Sequence, residues 1–165
     1  MTMTIKFIIT GGTIDDLEYE FEKDAPQKHK SLVPDLLRQS KITLKYSIDE
    51  LLQKDSRHIN NKDRELVYKR CLECSEDKII ITHGTMKMPA TAKYLGQKNI
   101  PKTIVLLGAM IPANKENSDA LFNIGAALSS VQLLPHGVYI TMNGKIFLWN
   151  NVKKNLDKGI FETEK

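Results

Sequence analysis

Apolar and polar positions along this chain switch repeatedly between the two periods of strand and helix. Ile5–Ile9 is a short, largely apolar run ending at a glycine pair, the pattern of a buried parallel strand. Ser31–Gln39 takes helical spacing: Leu32, Leu36 and Leu37 share a face, Ser31 can cap it, and Pro34 is tolerated in a first turn. Ile42–Tyr46 alternates with period two and predicts a strand. Lys62–Cys74 predicts an amphipathic helix, with Asn60 or Asn61 as its cap. Strand runs follow at Lys78–Thr82, Thr103–Leu107 and Val138–Thr141. Between them lie a short helix, Pro89–Leu95, and a longer one, Ser118–Val131, with Leu121, Ile124, Leu128 and Val131 on its buried face. Met142-Asn143-Gly144-Lys145 predicts a tight turn into Ile146–Leu148, closing a hairpin.

Strands alternating with helices call for an α/β fold: a mainly parallel sheet sandwiched between helices in three layers, plus the C-terminal hairpin. The length, 165 residues, fits one domain spanning 1–165 with a sizeable core. Ligands of such sheets bind beyond the carboxyl ends of the strands, where strand order reverses. Asp15 to Lys30 is polar, carries both charge signs and has no clear period. It is expected to be a loop, serving either as a mobile lid over the crevice or as a plain surface excursion.

Composition narrows the function classes. Hydrophobic content of 41% and charged content of 27% are ordinary for a globular chain. No apolar run reaches membrane-spanning length, and no membrane partner is expected. The start, Met1 to Phe7, lacks a leader's long apolar stretch, so a cytoplasmic location is expected. The net charge of +4 is scattered, and the densest basic stretch, Lys145 to Lys158, is interrupted by Asp157. Without a basic stripe interleaved with aromatics, no nucleic-acid partner is expected. Cys71 and Cys74 have the spacing of a redox or zinc pair, but no second pair accompanies them. With Val67 they fall on one helix face, as small core residues do. His29, His58 and His136 have no metal-ligand spacing, and no metal or other cofactor is expected.

Two motifs carry candidate chemistry. Thr10-Gly11-Gly12-Thr13 follows the first strand, and Thr82-His83-Gly84-Thr85 follows the third. Glycine lets the backbone approach a ligand closely, and threonine supplies a hydroxyl that can attack a carbonyl. The first turn lacks the third glycine of a dinucleotide fingerprint and the Gly-Lys of a phosphate loop, and Asp15 and Asp16 would repel phosphate. A hydroxyl-based amidohydrolase fits better. Thr13 is then the candidate nucleophile, Gly11, Gly12 and Gly84 offer amide N–H groups for an oxyanion, and a lysine of depressed pKa can serve as base.

These motifs, with Gly108-Ala109-Met110-Ile111-Pro112, Ser118-Asp119, Phe122-Asn123 and Val138 to Gly144, resemble in order the N-terminal domain of bacterial-type L-asparaginases. The resemblance covers nearly the whole chain and is nearest to a short, single-domain branch. It implies a flavodoxin-like, Rossmann-like three-layer sandwich. It also implies Thr13 as nucleophile, Thr85 as the hydroxyl of a second catalytic pair, and Lys154 as its amine, with Lys153 as the neighbouring alternative. Ser56 corresponds to the residue that holds the substrate's α-carboxylate, and Tyr19 to a lid tyrosine that assists the nucleophile. Gly12 and Gly84 belong to the substrate-binding turns.

Departures from the resemblance carry as much meaning. Its second motif continues with an aspartate that contacts the substrate's α-ammonium group; here that position is Met86. Methionine carries no charge and accepts hydrogen bonds poorly. Lys87 beside it adds repulsion if it points inward. Arg57 follows Ser56 where a glutamine is usual; it is either a carboxylate clamp or a surface charge. The expected substrate is therefore a small carboxylate-bearing amide, asparagine or a relative, turned over weakly or with altered preference. The alternatives are a non-catalytic module binding an amino-acid-like molecule on the same fold, and a structural subunit with a vestigial crevice. Full-length members complete a neighbour's site with a second domain, so this chain is expected to form a homodimer or higher homo-oligomer through a different contact. Asp119 is expected to cap the helix it begins, and His83 to position its turn. Phe147 and Trp149 are expected in the core or a dimer contact.

Overall fold

The computed structural model describes residues 3–165; the expectation for the extreme N-terminus, at Met1 and Thr2, lies outside the described residues. Five parallel strands, β1 (Thr4–Ile9), β2 (Lys45–Glu50), β3 (Lys78–Thr82), β4 (Thr103–Leu107) and β5 (Gly137–Met142), run in the order β2-β1-β3-β4-β5. A sixth, β6 (Lys145–Leu148), pairs antiparallel with β5 through Asn143 and Gly144, both at positive φ (54° and 72°). This is the flavodoxin-like order, with the reversal between β1 and β3. Ile5, Phe7, Ile9, Val105 and Leu107 pack on one face against α1 (Val33–Gln39) and α4 (Ala120–Leu133). Ile8, Ile79, Ile81, Leu106 and Ile140 pack on the other against α2 (Asn61–Glu73) and α3 (Met88–Gly96). The three-layer α/β architecture expected from the sequence is therefore present.

Boundaries differ from the expected ones for identifiable reasons. β2 starts at Lys45, later than the expected Ile42, because its partner β1 begins at Thr4, which pairs with Lys45. The alternation itself is continuous: Ile42, Leu44, Tyr46 and Ile48 all pack on the same core. Asn60 caps α2 by accepting from the amides of Lys62 and Asp63, while the Asp63 carboxylate accepts from the Asn60 amide. This reciprocal arrangement is worth about 1 kcal/mol. Cys71 is fully buried and Cys74 half-buried, both free thiols in the second core. Burial pushes the Cys71 thiol up to about 12, so it stays protonated and unreactive.

The segment 15–30 is more ordered than its polarity suggests. Asp15, Leu17 and Tyr19 are buried. The Asp15 carboxylate accepts from the Ser31 hydroxyl (2.8 Å) and the Leu32 amide (2.9 Å), tying the segment to the start of α1. A short ribbon of β7 (Lys153–Asn155) and β8 (Ile160–Glu162), absent from the expected elements, follows the sheet. It is anchored by Phe161, buried in the second core, whose amide donates to the Asn143 side chain (2.8 Å).

Candidate active site

The reversal of strand order opens a crevice at the carboxyl ends of β1 and β3. There the two glycine turns lie directly against each other. Gly12 has φ +88°, and a Cβ on it would stand 2.4 Å from the backbone of Gly84. A Cβ on Gly84 would in turn stand 2.6 Å from the Ser56 side chain. Only glycines allow three chain segments, 12, 84 and 56, to close to this distance. The Thr10 hydroxyl reinforces the contact by donating to the Thr82 carbonyl (2.8 Å).

Above these turns is a cleft of about 210 Å³. Gly12, Thr13, Ser56, Arg57, Gly84, Thr85, Met86 and Lys154 all line it, joined by Glu18, Asp55 and Met110. Thr13 and Thr85 are both buried. Lys154 reaches over from β7, its Nζ 2.7 Å from the Thr85 hydroxyl and 3.4 Å from the Met86 sulfur. Burial pulls the Lys154 amine below the ordinary lysine value, against an opposing pull from the Glu18 charge. Lys153 points away and pairs with Glu162 at 3.5 Å. Met86 and Lys87 are exposed, and Lys87 is not in the lining.

Arg57 is neither a bare surface charge nor an unengaged clamp. Its guanidinium donates to Asp55 through Nε (3.0 Å) and Nη2 (2.5 Å). Burial favours the protonated form of Asp55, yet hydrogen bonds from the Arg57 side chain and from the amides of Arg57 and Tyr19 hold its carboxyl below the usual range. The Asp55 hydrogen bond raises the Arg57 guanidinium in turn. Tyr19 stands behind this pair, outside the cleft lining. Its ring stacks on His58 with centroids 4.9 Å apart, and its amide donates to Asp55 (3.0 Å).

Two polar groups support the turns from below. His83 is fully buried, and its Nδ1 lies 2.8 Å from the Gly84 carbonyl. A carbonyl only accepts, so the proton is on Nδ1, and Nε2 accepts from the Thr91 hydroxyl (2.9 Å). Burial pushes the imidazole down to about 4, so it is neutral and holds the Gly84 peptide in place. Asp119 holds the N-cap position of α4 as expected, but its side chain makes no capping hydrogen bond; the preceding Ser118 hydroxyl accepts from the Ala120 amide (3.1 Å). The Asp119 carboxylate instead accepts from the amides of Met110 and Ile111 (2.9 and 3.0 Å), which fixes the loop that brings Met110 to the cleft. Phe147 is buried and Trp149 packs against Gly96.

Glu18 also lines the cleft, and no motif marks it. Its carboxylate accepts a 2.6 Å hydrogen bond from the Thr13 hydroxyl. The spacing of five residues across an irregular turn carries no local signal of that meeting.

The domain described as asparaginase, N-terminal, matches residues 4–160. An L-asparaginase of Thermococcus kodakarensis is 29% identical over 156 residues, covering 92% of this chain and 48% of that protein. One component of the glutamyl-tRNA(Gln) amidotransferase of Methanococcus vannielii is 33% identical over 92 residues, covering 54% of this chain and 20% of that one. The solved structure of the thermostable L-asparaginase from Thermococcus kodakarensis superposes with a TM-score of 0.82 at 29% identity, over 98% of this chain and 51% of that chain. The chain thus spans about half the length of the L-asparaginase it matches.

Proposed function

This chain belongs to the asparaginase family, and from that premise we propose that its cleft hydrolyses a small carboxylate-bearing amide by attack of Thr13. The observation that carries the proposal is the convergence of Thr13, Thr85 and Lys154 on one cleft. The Thr13 oxygen forms the new bond to the amide carbon, and the carbonyl electrons move to oxygen. The N–H groups of Gly12 and Gly84 are the donors for that oxyanion. The C–N bond then breaks, nitrogen leaves as ammonia, and water attacking in the reverse geometry releases the acid from Thr13. Thr85 and Lys154 form the second hydroxyl–amine pair that relays protons during one of these attacks. Names of relatives that denote reactions at an amide support this class.

The cleft floor guides substrate choice. Ser56 faces it as a donor for a carboxylate, with the Arg57 guanidinium beside it already paired to Asp55, whereas Met86 offers no anion for an α-ammonium group. The preferred ligand therefore keeps a carboxylate and an amide but lacks a free α-amine. Met86 also motivates the second reading, a binding module without turnover. An ammonia-release assay on asparagine, glutamine and des-amino or N-substituted amides separates the two. Turnover abolished by Thr13→Ala supports hydrolysis. Ligand-induced thermal stabilisation without ammonia from any of them replaces it with binding.

We place this activity in the cytoplasm, where free Cys71 and Cys74 remain reduced. Exposed Phe122, Ile146 and Leu148, on α4 and the outer strand β6, favour assembly with a second copy, which sedimentation of the purified chain tests.

A further inference from the structure

The hydroxyl of Thr13 has one acceptor among the described residues, the Glu18 carboxylate at 2.6 Å. We infer that Glu18, from the same chain, is the general base that takes the Thr13 proton during attack and returns it to the leaving nitrogen; this rests on the amidohydrolase proposal above.

The backbone holds Glu18 in place on both sides. After the tight turn at Thr13–Asp15, Asp16 adopts φ 57° and reverses the chain. The Leu17 amide then donates back to the Gly12 carbonyl (3.2 Å), and the Tyr19 amide donates to Asp55 (3.0 Å). Leu17 and Tyr19 turn inward and are buried, so Glu18 between them turns out over the cleft. Asn114 secures the reversal by donating to Asp16 (2.9 Å). A carboxylate whose two neighbouring residues are both held by hydrogen bonds is preorganised, unlike a free surface glutamate.

The other candidate bases are occupied. His83 is committed to the Gly84 carbonyl and to Thr91. Asp55 is committed to Arg57 and the Tyr19 amide, and Lys154 to Thr85. The charged groups that line the cleft with Glu18 are Asp55 and Arg57, at the 56–58 turn, and Lys154 from β7. In the step itself the Thr13 oxygen bonds to the carbonyl carbon as its proton passes to Glu18. The resulting acid protonates nitrogen as the C–N bond breaks, and ammonia departs. Every proton is accounted for within the chain and substrate.

The test uses the full chain and the 4-nitrophenyl monoester of succinic acid, a carboxylate-bearing acyl donor. Nitrophenolate release is followed together with mass mapping of the acylated residue. Native protein, Glu18→Gln, Glu18→Asp and Thr13→Ala are compared across pH, with near-ultraviolet circular dichroism to verify folding. The expected result is acylation at Thr13 that falls about 100-fold or more in Glu18→Gln. It recovers in part in Glu18→Asp, and the rate–pH profile of Glu18→Gln differs in shape from the native one. Labelling of Thr13 in Glu18→Gln at or above the native rate, with an unchanged profile, overturns the role of Glu18 while leaving Thr13 as nucleophile. Absence of Thr13 acylation from every protein overturns both.

Discussion

The Lys154 amine and the Thr85 hydroxyl meet at 2.7 Å, although 69 residues separate them and they come from different strand ends. The ribbon β7–β8 carries that amine over the cleft, and Phe161, paired with Lys154 and buried in the second core, anchors it. Lys154→Met should fold and lose roughly 100-fold or more in ammonia release, whereas Lys153→Met, whose amine faces Glu162, should stay within about twofold of native. Burial lowers the Lys154 amine, so its neutral form appears at lower pH than for an ordinary lysine. Turnover should therefore rise with pH along a limb below the ordinary lysine value of 10.5. Lys154→Arg, which keeps the charge but cannot lose it, should abolish both the limb and the activity. A steady-state rate–pH profile of the three variants decides this.

Met86 puts an uncharged thioether in the cleft lining, and on the proposed function it weighs against a substrate with an α-ammonium group. Met86→Asp places a carboxylate at the cleft edge beside Lys154. The position is exposed, which screens the new charge, so the gain should be about tenfold in kcat/KM for asparagine relative to the monoamide of succinic acid. The same carboxylate favours protonated Lys154, and the activity limb should move to higher pH. Competition kinetics with the two amides measures the preference, and no change in their ratio would remove Met86 from substrate selection.

How far the sequence is legible depends on how local each cause is. β1, β3 and β4 are short apolar runs buried on both faces, and their own residues declare them. The Thr-Gly turns declare themselves because close approach demands glycine. β2 starts later than its pattern implies: the alternation from Ile42 to Ile48 is continuous, while its hydrogen bonding is limited by where β1 begins. β7 reads Lys-Lys-Asn and has no strand signal of its own; it depends on Phe161 and Asn143 elsewhere. Lys154 is nevertheless legible, through spacing from Met142-Asn143 in the family resemblance. Glu18 is not, because its meeting with Thr13 depends on the reversal at Asp16 and the clamp from Asp55.

The two glycines that differ most in surroundings should respond in opposite senses. Gly12→Ala puts a Cβ 2.4 Å from the backbone of Gly84, at φ +88°. Neither backbone can yield without opening the crevice, so a loss of about 2 kcal/mol or more of stability is expected, with activity lost even in the folded fraction. Gly125 lies on the exposed face of α4 with nothing within 4 Å of an added Cβ. Gly125→Ala should stabilise by about 0.5–1 kcal/mol through helix propensity and the unfolded chain. Urea denaturation midpoints at constant m-value read both effects, and a neutral Gly12→Ala would mean that the turns do not pack this closely in solution.

His83 should make the fold sensitive to mild acid. Burial holds its imidazole near 4, whereas the unfolded chain titrates near the ordinary 6.5. Between these values the unfolded state binds the extra proton, so stability rises with pH across the window and is lost as pH falls from 6.5 toward 4. A separation of this size corresponds to roughly 3 kcal/mol at the acid end. Asp15 works in the opposite sense, because burial raises its carboxyl, but it is common to native and variant proteins. His83→Asn keeps a donor for the Gly84 carbonyl and removes the titration. The variant should be less stable than native at neutral pH, since the hydrogen bond to Thr91 and buried volume are lost. The gap between the two should narrow steadily as pH falls from 7 to 4.5. Denaturant midpoints measured at half-unit intervals give that gap directly, and a constant gap across the range would show that His83 does not titrate with folding.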